Sequence, residues 1–111
     1  VKAQDLEAAK KTIDAEKYES AKSMLKNAVS ANPANGKATF LLGTVYLKQN
    51  IEDSAKIYFQ KGLAAKEGGR LNSIGLGQID LNNKDVASAQ ANFAQATKDL
   101  KKKDFEERDL Y

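Results

Sequence analysis

The hydrophobic positions in residues 37–49 follow the period of an α-helix. Ala38, Leu42, Val45 and Tyr46 are spaced by four, three and one residues, which places them on one side of a helix. Comparable stretches cover most of the chain, and short polar or glycine-containing segments separate them. The pattern predicts six helices, over residues 3–15, 18–31, 37–49, 53–66, 71–82 and 86–101.

Two kinds of break separate these stretches. Residues 32–36 hold the chain's single proline and residues 67–69 hold two adjacent glycines, and both combinations stop a helix. Shorter polar turns fall between the strong breaks, and in one of them Asn50 suits the left-handed conformation that ends a helix. The six helices are therefore expected to form three helix-turn-helix pairs.

Residue size repeats along the chain with a period of 34 residues. Four columns keep their size class at this offset without a gap: Ala9, Gly43 and Gly77; Ala21, Ala55 and Ala89; Leu25, Phe59 and Phe93; Ala28, Gly62 and Ala96. Small side chains let two helices approach closely, and the larger column fills the space beside them. The period predicts three units, residues 2–35, 36–69 and 70–103, followed by a partial fourth unit or capping helix at 104–111.

The second unit resembles the tetratricopeptide repeat. Leu42-Gly43, followed by Tyr46, Ala55 and Phe59, has the residue types of that family's pattern at the family's offsets. The resemblance extends more loosely over the other two units. It implies an all-α fold, a right-handed α-solenoid of helix-turn-helix repeats, and a role as a protein-binding scaffold that is not an enzyme.

The first and third units depart from the family pattern in detail. Thr12 and Asp80 stand where the family has tyrosine, and Ala8-Ala9 replaces Leu-Gly in the first unit. An unpaired carboxylate at Asp80 would be costly to bury. We therefore expect Asp80 either to lie in water or to be met by a cation or by backbone N–H groups. Lys84 and the amides that open the next helix are the candidates, and we favour the second, in which Asp80 caps that helix.

A second face of the first helices carries further columns at the same offset. At about 100° per residue, Leu47 lies close to Phe40 and far from Leu42, so this helix is apolar on two sides. Such columns resemble those that line the family's concave groove, where peptides bind. We expect the partner-binding groove, with an apolar floor and a polar seam, to consist of Leu6, Lys10, Ile13, Phe40, Thr44, Leu47, Lys48, Ile74, Gln78 and Leu81.

Three occupants of this groove fit the pattern: a peptide or helix of another protein, a missing part of the same chain, or a second copy of it. The last two would make the chain a structural segment of a longer protein, and a regulatory arm attached to an enzyme is a further alternative. Some family members clamp a partner's terminal carboxylates with Lys, Asn and Arg on the first helices. We do not expect such a clamp, because only one cation stands in the matching columns: Leu6, Lys10, Leu41, Leu71 and Gly75.

Composition removes several classes of chemistry. The chain has no cysteine and no histidine, which excludes disulfides, thiolate nucleophiles and histidine-based catalysis or metal binding. Asp80, Asn82 and Lys84 imitate the start of a calcium loop, but Ala91 stands where the bidentate glutamate is needed. We therefore expect neither catalysis nor a cofactor or metal.

Charge and hydropathy bear on partners and location. The net charge is +3, but the lysine run at 101–103 is followed by four acids within 104–109, unlike the one-sided surplus of a typical nucleic-acid-binding protein. No apolar run reaches the roughly 20 residues that span a bilayer. Nucleic acid is not an expected partner, and both a cytoplasmic and an exported (periplasmic) location fit the sequence.

Overall fold

The computed structural model describes residues 3–65 and 68–97 of the 111-residue chain. Five helices are α1 (Ala3–Asp14), α2 (Tyr18–Ala31), α3 (Gly36–Lys48), α4 (Glu52–Gly62) and α5 (Gly69–Asn82), and α6 covers 86–97. The predicted all-α helical repeat fold is confirmed. The lysine run at 101–103 and the expected fourth unit or cap at 104–111 lie outside the described residues.

The turn inside each helix pair contains one residue with left-handed backbone. These residues are Glu16, Asn50 and Lys84, with φ angles of 60°, 63° and 61°. They stand 34 residues apart, so the turn geometry repeats with the sequence period. Asn50 is as expected, whereas Glu16 and Lys84 are residue types that rarely adopt this conformation. Position in the repeat therefore decides this backbone conformation more strongly than residue type does.

Helix α3 is the centre of the described structure. It packs against α1, α2, α4 and α5, and seven of its thirteen residues are buried. Leu42 and Val45 are fully buried, as the apolar stripe predicts. The sides of α3 that face α1 and α5 are also covered, because the first helices α1, α3 and α5 lie next to one another.

Two core clusters share residues of α3. One combines buried residues of α1, α2 and α3, and the other combines Ala55 and Phe59 of α4 with Leu76 and Ile79 of α5. Phe40 packs against both clusters, with its ring centroid 6.0 Å from that of Phe59. Neighbouring helix pairs are thus joined by a continuous apolar contact.

The ring of Phe59 lies between two glycines on different helices. A Cβ atom placed on Gly43 of α3 would lie 2.5 Å from Cε1 of Phe59, and one placed on Gly75 of α5 would overlap the same ring. Neither helix could approach Phe59 so closely with a larger residue. The glycines at these helix-interior positions are therefore explained by close packing, which offsets their conformational cost.

Helix α4 ends at Gly62, four residues before the approximate end at residue 66 that the sequence predicts. The residues after Gly62 favour helix by propensity, but a Cβ atom on Gly62 would overlap Thr39 and Asn72, so the chain is fixed there. The N–H of Leu63 bonds to the carbonyl of Gln60 at 3.3 Å, which tightens the last turn. The helical preference of the residues that follow Gly62 does not extend the helix.

Asn72 connects α5 to the preceding helix pair through hydrogen bonds. Its side chain is fully buried, and its Nδ2 donates to the carbonyls of Gly36, at 3.1 Å, and Gly68, at 3.2 Å. Gly68 has a φ of 75°, which glycine adopts without steric cost. One amide therefore joins the start of α3, the loop before α5 and the first turn of α5.

One contact between first and second helices recurs in all three pairs, with different chemistry each time. Residues twelve apart meet there, and the equivalent positions are 34 apart. Thr12 Oγ1 lies 3.8 Å from Met24 Sδ in the first pair, and the rings of Tyr46 and Tyr58 stack in the second. In the third pair, Asn92 Nδ2 donates to Asp80 Oδ2 at 2.7 Å.

The expectation that Asp80 caps the next helix is wrong. The N–H of Ser88 donates to Asp85 Oδ1 at 3.2 Å, so Asp85 is the residue that caps α6. The Asp80 carboxylate is half-buried and is satisfied by the Asn92 amide instead. Asp85 is the better cap because it directly precedes the first residue of α6, whereas Asp80 is still inside α5.

Candidate functional site

The face formed by α1, α3 and α5 carries the residues expected to line a groove. We call it the first-helix face, and its apolar columns become more exposed from α1 to α5. Leu6 and Ile13 are 8% and 6% exposed and belong to the core. Ile74 and Leu81 are 38% and 43% exposed. Ile13 therefore presents little surface to a partner, whereas the two α5 residues present much of theirs.

The two apolar residues of α3 on this face are half-buried. Phe40 and Leu47 both pack against the core cluster that contains Phe59, so each contributes part of its surface to the interior. Leu42, on the other side of α3, is fully buried. The first-helix face thus has a partly embedded apolar floor rather than a row of free side chains.

The polar residues expected to form a seam differ in exposure and in hydrogen bonding. Lys10 is exposed and its Nζ lies 3.4 Å from Glu7 Oε1. Thr44 is half-buried and donates to the carbonyl of Phe40 in its own helix at 2.8 Å. Gln78 and Lys48 are exposed, and Gln78 donates to Asn82 at 3.2 Å. A partner could therefore contact Lys10, Gln78 and Lys48. The Thr44 hydroxyl already donates a hydrogen bond within its own helix.

Side chains from three successive first helices enclose a cavity of about 280 Å³ on this face. Its walls are mainly apolar, with charged groups at the rim: Leu6, Glu7 and Lys10 from α1, Lys37, Phe40 and Leu41 from α3, and Leu71 from α5. A cavity of this size and lining can accept one apolar side chain of a partner. Sequence reasoning placed only three of these residues in the groove.

Lys37 is the lining residue that sequence reasoning missed most clearly. It is exposed and lies one helical turn before Phe40, so helical spacing from a predicted groove residue could have identified it. With Lys10 and Glu7, it gives the rim two cations and one anion. The Lys10–Glu7 pair is solvent-exposed and therefore weak, so Lys10 can change partners at little cost.

Within the described residues, no group of three or more acidic side chains could hold a metal ion. No helix in that part of the chain is both long and apolar enough to cross a membrane.

Comparison with known proteins agrees with the repeat architecture. A family model described as tetratricopeptide repeat matches residues 12–74, more than half of the chain. Searches of curated proteins and of solved structures gave no significant match. The matched region runs from the end of α1 into α5 and includes Gly43 and Phe59, which pack against each other. The chain belongs to the tetratricopeptide repeat family, whose repeats generally act as non-enzymatic scaffolds for protein–protein interactions.

Proposed function

We propose that this chain is a protein–protein interaction scaffold that binds a peptide or helix of a partner in the concave groove of the first-helix face. The observation that carries the proposal is the cavity, because three successive first helices contribute to it. A ligand seated there would contact α1, α3 and α5 together, as expected for a groove built from repeats.

Apolar exposure continues beyond the cavity along α5. Ile74 and Leu81 are seven residues apart and therefore share one side of the helix. An extended or helical partner could place one apolar side chain in the cavity and others against this pair. The groove includes Leu6, Lys10, Lys37, Phe40, Leu71, Ile74, Gln78 and Leu81.

The test compares two double variants in affinity capture. Ile74→Asp with Leu81→Asp places charges on the floor at exposed positions. The control, Ile51→Asp with Val86→Asp, changes residues that are 40% and 55% exposed at helix starts, where an acid is tolerated. We expect the native chain and the control to capture the same partner and the floor variant to lose it. Equal capture by all three would contradict the proposal.

Self-association is distinguished in the same experiment. If a second copy filled the groove, the native chain and the control would be dimeric by light scattering and the floor variant monomeric. Thermal melts of each variant show whether the fold is intact. Phe40 is a poor choice for this test, because its ring supports both core clusters and its replacement would destabilise the chain.

A further inference from the structure

A cationic and aromatic cluster lies on the other side of α3, where α2, α3 and α4 meet. The rings of Tyr46 and Tyr58 stack with centroids 5.5 Å apart and planes 5° apart. Tyr46 lies about 120° around α3 from Phe40, so the cluster is separate from the first-helix face. The backbones of α2 and α4 do not approach closely within the described residues, and the two tyrosines occupy the space between them.

Three lysines surround this stack. Lys22 and Lys26 of α2 place their Nζ atoms 5.0 and 5.9 Å from the centroid of the Tyr46 ring, and Lys61 of α4 places its Nζ 5.3 Å from that of Tyr58. These distances are within the range of cation–π attraction. The tyrosine–lysine cluster is therefore Lys22, Lys26, Tyr46, Tyr58 and Lys61.

Only one of the three ammonium groups forms an ion pair in the described part of the chain. Lys22 is largely covered and its Nζ lies 2.7 Å from Glu19 Oε2, which also accepts from Gln49 at 3.1 Å. The hydrogen bond from Lys22, with that from Gln49, lowers the pKa of Glu19. Lys26 and Lys61 are exposed, and proximity to the Tyr46 side chain raises the pKa of Lys26.

The fold does not require this combination of residues. The Tyr46–Tyr58 contact is replaced by Thr12–Met24 in the first pair and by Asp80–Asn92 in the third. At the next junction along the chain, the positions of Lys26 and Lys61 are occupied by glutamines: Gln60 and Gln95. The repeat thus tolerates neutral side chains at both of these lysine positions, so the cations of Lys26 and Lys61 beside an aromatic stack need another explanation.

We propose that the tyrosine–lysine cluster binds an acidic segment of a partner protein, independently of the groove. Lys26 and Lys61 supply cations from two different helices, which suits a chain with several separated carboxylates. Glu19 accepts from Lys22 and Gln49, so one cation of this cluster already binds a carboxylate of the chain itself. Nucleic acid fits less well, because bases bind by stacking on free ring faces, and here the two rings are stacked on each other.

The test uses a fluorescent peptide of alternating glutamate and serine, and the same peptide with glutamine for glutamate. Lys26→Gln with Lys61→Gln reproduces the residues of the next junction and is therefore compatible with the fold. Lys11→Gln with Lys84→Gln removes the same charge from exposed positions elsewhere. We expect the first variant to weaken binding of the acidic peptide about tenfold, since each exposed pair contributes modestly, and the control to change it little.

Two further measurements test where the acidic peptide binds and whether its binding depends on charge. The ring resonances of Tyr46 and Tyr58 should shift on titration with the acidic peptide and not with its glutamine counterpart, and added salt should weaken binding. Unchanged affinity in the Lys26/Lys61 variant, or an equal loss in the control, would overturn the proposal. Tighter binding of a uridine oligonucleotide than of the peptide would also overturn it.

The groove proposal and the cluster proposal can be tested separately. The Ile74→Asp, Leu81→Asp variant should bind the acidic peptide with native affinity, because neither residue touches the cluster. If that variant loses the acidic peptide as well, the peptide binds the first-helix face, and the cluster proposal is wrong while the groove proposal stands.

Discussion

The second and third helix pairs carry the same phenylalanine column in two different environments. Phe59 is 1% exposed, because Gly43 of its own pair and Gly75 of the next pair both lie against its ring. Phe93 is half-buried, and among the described residues Gly77 of its own pair is the glycine that faces it. In the second pair, the first helix of the following pair therefore completes the core around Phe59.

The tyrosine column shows a second difference between these pairs. The Tyr46–Tyr58 stack and the Asp80–Asn92 hydrogen bond occupy equivalent positions and both connect a first helix with its second helix. What the repeat requires at this point is a complementary contact between residues twelve apart. The residue types that make this contact can therefore differ from one pair to the next.

The largest difference between the pairs is expected from removing the phenylalanine ring. Phe59→Ala should destabilise the chain by about 3–5 kcal/mol, because it leaves a cavity enclosed by two helices. Phe93→Ala should lie within the range of about 0.5–3 kcal/mol that is usual for single substitutions. Chemical denaturation of both variants measures the difference, and equal losses would show that Phe93 is enclosed as completely as Phe59.

The glycines give a second matched pair. Gly75→Ala should destabilise by about 1–3 kcal/mol, because Gly43 prevents Phe59 from moving away from the new methyl group. A Cβ on Gly77 would lie 2.7 Å from Cε1 of Phe93, but that half-exposed ring can shift. The helix also gains about 0.5–1 kcal/mol when glycine becomes alanine, so Gly77→Ala should be nearly neutral in thermal melts. A large loss in Gly77→Ala would contradict this account of Phe93.

Asn72 should stabilise the packing of Phe59 indirectly, by holding α5 against the preceding helix pair. It stands three residues before Gly75 on α5, and its replacement by alanine leaves the carbonyls of Gly36 and Gly68 without this donor. The expected loss is about 1–3 kcal/mol. Asn27→Ala at an exposed position of α2 serves as the control and should change the stability by less than about 0.5 kcal/mol. Similar melting temperatures for the two variants would show that Asn72 does not fasten α5.

The smallest effect is expected from transplanting the tyrosine contact into the third pair. Asp80→Tyr and Asn92→Tyr should each be unfavourable alone, and together they should recover about 0.5–1.5 kcal/mol of coupling from the new stack. A double-mutant cycle measures this energy. Zero coupling would mean that the third pair holds these two positions in a different relative geometry.

Periodicity in the sequence predicts the helices and their pairing well, because helical spacing and the 34-residue offset can both be read directly from the sequence. It is least precise at the end of α4, where Leu63 and the residues after it favour helix but the helix ends at Gly62. It fails at Asp80, because the donor that satisfies it, Asn92, lies on another helix. A contact between helices decides the environment of Asp80.

The 34-residue offset predicts the columns of the candidate groove but not how exposed each of their residues is. The offset places Leu6, Phe40 and Ile74 in one column, yet only Ile74 is largely exposed, since each successive first helix is covered to a different extent. Lys37 lies outside the three groove columns expected from the sequence, in the column of Leu71, and lines the cavity from the first turn of α3. The tyrosine–lysine cluster draws on three helices and leaves no periodic signal in the sequence.

Phe40 makes the interior of this chain sensitive to what occupies its surface. The ring lines the cavity on one side and packs against Phe59 on the other. A ligand that fills the cavity would therefore bind only the folded state and raise the free energy of unfolding by an amount that grows with the logarithm of its concentration. Amide hydrogens near Phe59, which such a ligand never touches, should then exchange more slowly in its presence.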